Sequence, residues 1–128
     1  MAKSNGSHIT SCTISWENKE DILSVVTKVL QTEIHVRFYE SGALISGRIW
    51  PMSEQQKQEL YSVLYKCIDD WDCDEYSNNE SDSKHWQFKI CTQRSCLRTV
   101  CGTTEPPHGA EIKKILSEVI GEDYCYFF

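Results

Sequence analysis

One run of features occurs twice in this chain: an alternating strand, a tight turn, a second strand, a proline, and an amphipathic helix. Residues 33–68 run Glu-Ile-His-Val-Arg-Phe-Tyr-Glu, turn at Ser41-Gly42, continue Ala-Leu-Ile-Ser-Gly-Arg-Ile-Trp-Pro, and enter a helix. Residues 85–120 do the same through His-Trp-Gln-Phe-Lys-Ile-Cys-Thr, a turn at Gln93-Arg94-Ser95, Cys-Leu-Arg-Thr-Val-Cys-Gly and Pro106-Pro107. Period-2 alternation joined by a short turn specifies an antiparallel hairpin, and the helix after it needs a sheet face to cover. Two such units on 128 residues leave room for one core only.

Each hairpin is registered by its turn. With Ser41-Gly42 central, Phe38 faces Ile45, Val36 faces Gly47 and Ile34 faces Ile49, forming the apolar face. His35, Arg37, Tyr39, Leu44, Ser46, Arg48 and Trp50 then point outward. In the second hairpin a four-residue loop sets Cys91 opposite Cys96, and pairs Ile90 with Leu97, Phe88 with Thr99 and Trp86 with Cys101 on the core side. His85, Gln87, Lys89, Arg98 and Val100 fall outside, so Arg98 is expected to matter little for stability, below ~1 kcal/mol.

Ser53 with Gln56 forms a capping box, and Leu60, Val63, Leu64, Cys67 and Ile68 make a helical stripe. The last helix follows Pro106-Pro107, buries Ile112, Ile115, Leu116, Val119 and Ile120, and stops at Gly121. Upstream, residues 12–16 form a strand. Asn18 is then an N-cap for a helix with Ile22, Val25, Val26, Val29 and Leu30 inward. The expected architecture is α+β: a two-layer sandwich, mostly antiparallel sheet with helices on one face, order β-α-ββ-α-ββ-α, containing an internal ββα repeat. It forms a single domain, 1–128, with a disordered start at 1–8 and an acidic linker at 69–84. The aromatic end, Tyr124-Cys-Tyr-Phe-Phe, packs on the body.

Charge is concentrated in that linker. Residues 69–83 hold seven acids and no Lys or Arg, so this segment carries −7 against a net charge of −6, and the rest of the chain sums to about +1. A localised negative patch on a near-neutral body suits a basic partner. Asp69, Asp70, Asp72, Asp74 and Glu75 are candidate contacts. Trp71 and Tyr76 among them have the composition of interface anchors, although Trp71 fits equally well as a core residue closing the helix. Asp70-x-Asp72-x-Asp74 opens like a calcium loop, but Glu75 stands where glycine is needed and Ser81 where the last glutamate belongs. The competing surface is the outer sheet face, where His35, Arg37, Tyr39, Arg48, Trp50, His85, Lys89 and Arg98 combine basic and aromatic groups able to hold nucleic acid or a nucleotide.

The seven cysteines include no Cys-x-x-Cys pair, so neither a metal nor a cofactor is expected, and free thiols packed as small hydrophobes are. Cys91 and Cys96 are the one pair near disulfide separation. No nucleophile-elbow, phosphate-loop or zinc-protease motif occurs, so no enzyme is expected. With no apolar run near ~18 residues and no signal-peptide core at the start, a soluble cytoplasmic protein without membrane contact is the expectation.

The acidic composition, the strand His85-Trp-Gln-Phe-Lys-Ile, Gly102, Pro107 and the closing helix together resemble small bacterial immunity-type proteins and phage-encoded inhibitors of defence enzymes. The resemblance spans most of residues 33–120. It implies a stoichiometric inhibitor of a toxin or nuclease, with no catalytic residues of its own.

Overall fold

The computed structural model describes residues 8–20, 22–77 and 84–128. It is a mixed α+β protein. Seven strands and two helices follow one another as β1 (Ser11–Asn18), β2 (Leu23–Val29), β3 (Glu33–Glu40), β4 (Ala43–Pro51), α1 (Glu54–Asp70), β5 (Glu75–Tyr76), β6 (Lys84–Cys91), β7 (Cys96–Gly102) and α2 (Gly109–Ile120). The sheet order is β4-β3-β2-β1-β6-β7-β5, and every neighbouring pair is antiparallel except β5 with β7. Residues 1–7, 21 and 78–83 lie outside the description, and with them most of the expected disordered start and the later part of the linker.

The expected helix after Asn18 is a strand, which changes the element order to ββββ-α-βββ-α. Leu23–Val29 is Leu-Ser-Val-Val-Thr-Lys-Val, dominated by β-branched side chains that are stiff in a helix and comfortable on a pleat. Val25, Thr27 and Val29 are buried with a period of two. Asn18 still caps, but it caps a turn: its Oδ1 accepts from the Glu20 N–H at 3.0 Å.

One face of the sheet is covered. Cys12, Ile14, Trp16, Val25, Val29, Ile34, Val36, Trp86, Phe88, Ile90 and Val100 point into a single core with Leu60, Leu64 and Cys67 of α1 and Ile112, Leu116 and Ile120 of α2. The capping box forms as expected, with Ser53 and Gln56 exchanging side-chain and backbone bonds. Tyr61 Oη donates to the carbonyls of Thr10 and Leu30, tying α1 to the ends of β1 and β2. The C-terminal aromatics complete the layer: Phe128 stacks on Phe88 at 6.0 Å and meets Trp86 edge-on at 5.1 Å, and Tyr126 meets Trp16 at 5.1 Å.

Both hairpins differ from the expected register by one residue, for one reason. Near the first turn Tyr39 pairs Leu44 as expected. A bulge at Ile45 then shifts the ladder, so Phe38 pairs Ser46, Val36 pairs Arg48 and Ile34 pairs Trp50. The second hairpin keeps Cys91 opposite Cys96, shifts at Leu97, and pairs Ile90 with Arg98 and Phe88 with Val100. A one-residue slip exchanges the two faces of a strand. Arg48, Trp50 and Arg98 therefore leave the outer face, while Ile49, Thr99 and Cys101 join it.

Candidate partner-binding surfaces

The segment that follows α1 is fastened to the body along its length. Trp71, 2% exposed, sets its ring edge-on to Phe88 at 5.4 Å, and its Nε1 donates to the Pro107 carbonyl at 2.7 Å. It is a core residue closing the helix, and the surface-anchor reading is corrected. Arg98, turned inward by the bulge, donates from Nη1 to the Trp71 carbonyl (2.8 Å) and from Nη2 to the Cys73 carbonyl (2.7 Å), with Asp74 at 3.1 Å. The Cys101 N–H donates to Asp74 O at 3.0 Å, and β5 adds parallel to β7 through Glu75 and Tyr76. The Tyr76 carbonyl accepts from the backbone N–H groups of Thr103 and Thr104 and from Thr104 Oγ1. Gly102 permits this approach, since a Cβ there would lie 2.1 Å from Tyr76 O. Tyr76 is half-buried with its hydroxyl inside, where burial and the adjacent Cys73 raise its pKa. It is no more an exposed anchor than Trp71.

What projects from this fastened backbone is carboxylate. Asp69, Asp70, Asp72, Asp74 and Glu75 are all exposed. Asp70 also anchors a cluster absent from the sequence reading. His108 enters α2 at φ 67°, with Nε2 2.7 Å from Asp70 Oδ2 and Nδ1 3.0 Å from Glu111 Oε1. Bonds to Glu111 and Asp70 raise the imidazole pKa, and the same contact lowers that of Glu111. Both ring nitrogens are thereby engaged, and the trio joins the end of α1 to the start of α2. The His108–Glu111 spacing was readable as an i,i+3 pair. The Asp70 contact, 38 residues away, carries no local signal.

The other face of the sheet is open. It retains His35, Arg37, Tyr39, His85 and Lys89, and His35 is engaged by Glu33 through its Nε2. Arg48 instead lies 5.4 Å from the Trp50 ring centre and 5.7 Å from that of Tyr124, and donates to Tyr124 Oη at 3.2 Å. The aromatic and basic groups expected to form one surface are thus divided between two. On the edge strand β4 Leu44 (58%) is exposed as expected, whereas Ile45 (56%) and Ile49 (58%), which the expected register placed inside, are exposed as well.

Among the described residues no cluster of three or more His, Cys, Asp or Glu is arranged to hold a metal ion, and no helix is long and apolar enough to cross a membrane. Comparison with protein families, curated proteins and solved structures finds no match to this chain.

Proposed function

We propose that this chain is a non-enzymatic binding protein of the inhibitor or immunity type, and that residues 69–77 are the ridge that engages a basic site on a partner enzyme, a nuclease above all. The observation that carries the reading is the combination of five exposed carboxylates with a backbone already bonded to the sheet through Trp71, Arg98, β5 and Gly102. A preorganised ridge loses little conformational entropy on binding, and acids at its crest accelerate encounter with a positive surface. Spaced carboxylates on a fixed backbone present charge much as a phosphate chain does. Free thiols at all seven cysteines suit a reducing cytoplasm.

The test is association kinetics at two salt concentrations against a partner captured from the native host. The triple variant Asp72→Asn, Asp74→Asn, Glu75→Gln is expected to lose about tenfold or more in on-rate at low salt while melting like the wild type. Unchanged kinetics would remove the ridge from the proposal. The nucleic-acid or nucleotide alternative is weaker, because Arg48, Trp50 and Arg98 face away from Arg37, Tyr39 and Lys89.

A further inference from the structure

Cys91 and Cys96 meet at the tip of the second hairpin, at the end of β7 far from Gly102 and the acidic ridge. They pair directly in the ladder, and their Sγ atoms lie 2.9 Å apart. Directly opposed residues of antiparallel strands have Cα separations of about 4.5–5.5 Å, inside the range a disulfide requires. The loop between them is held from both ends. Thr92 N–H donates to Ser95 O at 2.8 Å, and Thr92 Oγ1 accepts from the N–H groups of Arg94 and Ser95. On the other side the Thr10 N–H donates to the Cys91 carbonyl at 2.8 Å, so Cys91 is fixed to β1 as well. The remaining thiols are placed differently: Cys12 and Cys67 are buried, and among the described residues it is Cys91 and Cys96 that make a thiol–thiol contact.

We propose that Cys91 and Cys96 form a dithiol modification site that exchanges with small-molecule disulfides of the glutathione type and closes to an intramolecular disulfide. The two thiols have unequal roles. Cys96 is exposed, whereas Cys91 is half-buried, and burial together with the bond from Cys96 pushes the Cys91 thiol up to about 11. Cys96 therefore attacks first. Its thiolate forms a bond to one sulfur of the oxidised small molecule and expels the other as a thiolate. Cys91, deprotonated in turn, attacks Cys96 Sγ and displaces the second small thiol. Two protein thiols are oxidised, one small disulfide is reduced to two thiols, and the two protons released by the protein are taken up by the leaving thiolates. The bridge closes a loop of few residues, so its stabilising effect is small and the exchange stays reversible.

The experiment equilibrates the full chain with graded mixtures of reduced and oxidised glutathione, quenches by alkylation and maps the products by mass. The folded wild type is expected to lose two thiols to one Cys91–Cys96 bridge, at mixtures that leave Cys73, Cys101 and Cys125 alkylatable, and dithiothreitol is expected to restore both. Cys91→Ser is expected to trap one glutathione on Cys96. Cys96→Ser is expected to take up glutathione on Cys91 at least about tenfold more slowly. A bridge between any other pair, a wild type that stops at the mixed disulfide, or equal rates in the two variants overturns the proposal. The ridge reading stands or falls separately, because Cys96 begins β7 whereas β5 pairs with its other end at Cys101 and Gly102.

Discussion

The two hairpins look interchangeable in sequence and are not interchangeable in the molecule. Each carries a bulge beside its turn, and each bulge turns one arginine toward the helix layer. On β4, an edge strand exposed throughout except at Trp50, Arg48 lies against the rings of Trp50 and Tyr124 and donates to the Tyr124 hydroxyl. On β7, which lies between β6 and β5, Arg98 finds two main-chain carbonyls and holds the acidic segment in place. The same local device thus has a peripheral role at the rim and a structural one beneath the ridge. What surrounds a strand decides what its side chains are worth.

The largest test of that contrast lies in the two phenylalanines. Phe88 is fully buried between Trp71 and Phe128, so Phe88→Ala is expected to cost about 3–5 kcal/mol in denaturant melts. Phe38, half-buried under Tyr124 and Tyr126, is expected to cost about 2 kcal/mol. Equal losses would mean that the edge hairpin is as integral as the central one.

The glycines give the next step. Gly102→Ala drives a Cβ into Tyr76 O and is expected to destabilise by about 1–3 kcal/mol while releasing β5. Gly47→Ala meets only ordinary contacts at 3.6 and 3.7 Å and is expected within about 0.5 kcal/mol of the wild type. Hydrogen exchange at Cys101 and Thr103 separates loss of the β5 pairing from general loosening.

The arginines follow. Arg98→Ala removes two charge-assisted bonds from a side chain only 22% exposed and is expected to cost about 1.5–3 kcal/mol, overturning the small effect expected from the outer face. Arg48→Ala, on exposed rings, is expected below ~1 kcal/mol. A reversed order would contradict the assignment of the second bulge.

The smallest effect is a pH dependence at the ridge. The folded pKa of His108 is raised by Glu111 and Asp70, so its stabilising contribution is present below the unfolded value of about 6.5 and fades as pH rises through the folded one. The lowered pKa of Glu111 makes its share appear above its unfolded value and disappear as pH falls through the folded one. The difference in melting temperature between wild type and His108→Gln is expected to peak between these titrations and to shrink toward alkaline pH. A constant difference would show that the trio carries no protonation-linked stability.

Alternation alone identified β3, β4, β6 and β7, the capping chemistry identified α1, and the apolar stripe identified α2, because each of these signals is complete within a few residues. The acidic run 69–83 was also legible from its seven acids, and its described acids, Asp69, Asp70, Asp72, Asp74 and Glu75, are exposed. Tertiary structure decided the rest. The apolar spacing of residues 22–30 reads as a helix, but the β-branched composition of Leu23–Val29 favours a strand, and pairing with β1 and β3 completes its hydrogen bonds. The bulges have no marker in the turn residues. They exist because the shifted register delivers Arg98 to the carbonyls of Trp71 and Cys73 and Trp50 to Tyr124, partners that lie 25 to 74 residues away. Trp71 became core and not anchor by the same logic: Phe88 and the Pro107 carbonyl reach it only after the sheet has closed. A chain written as local periodicities determines its elements, and long-range hydrogen bonds and ring contacts determine which face of each element is turned inward.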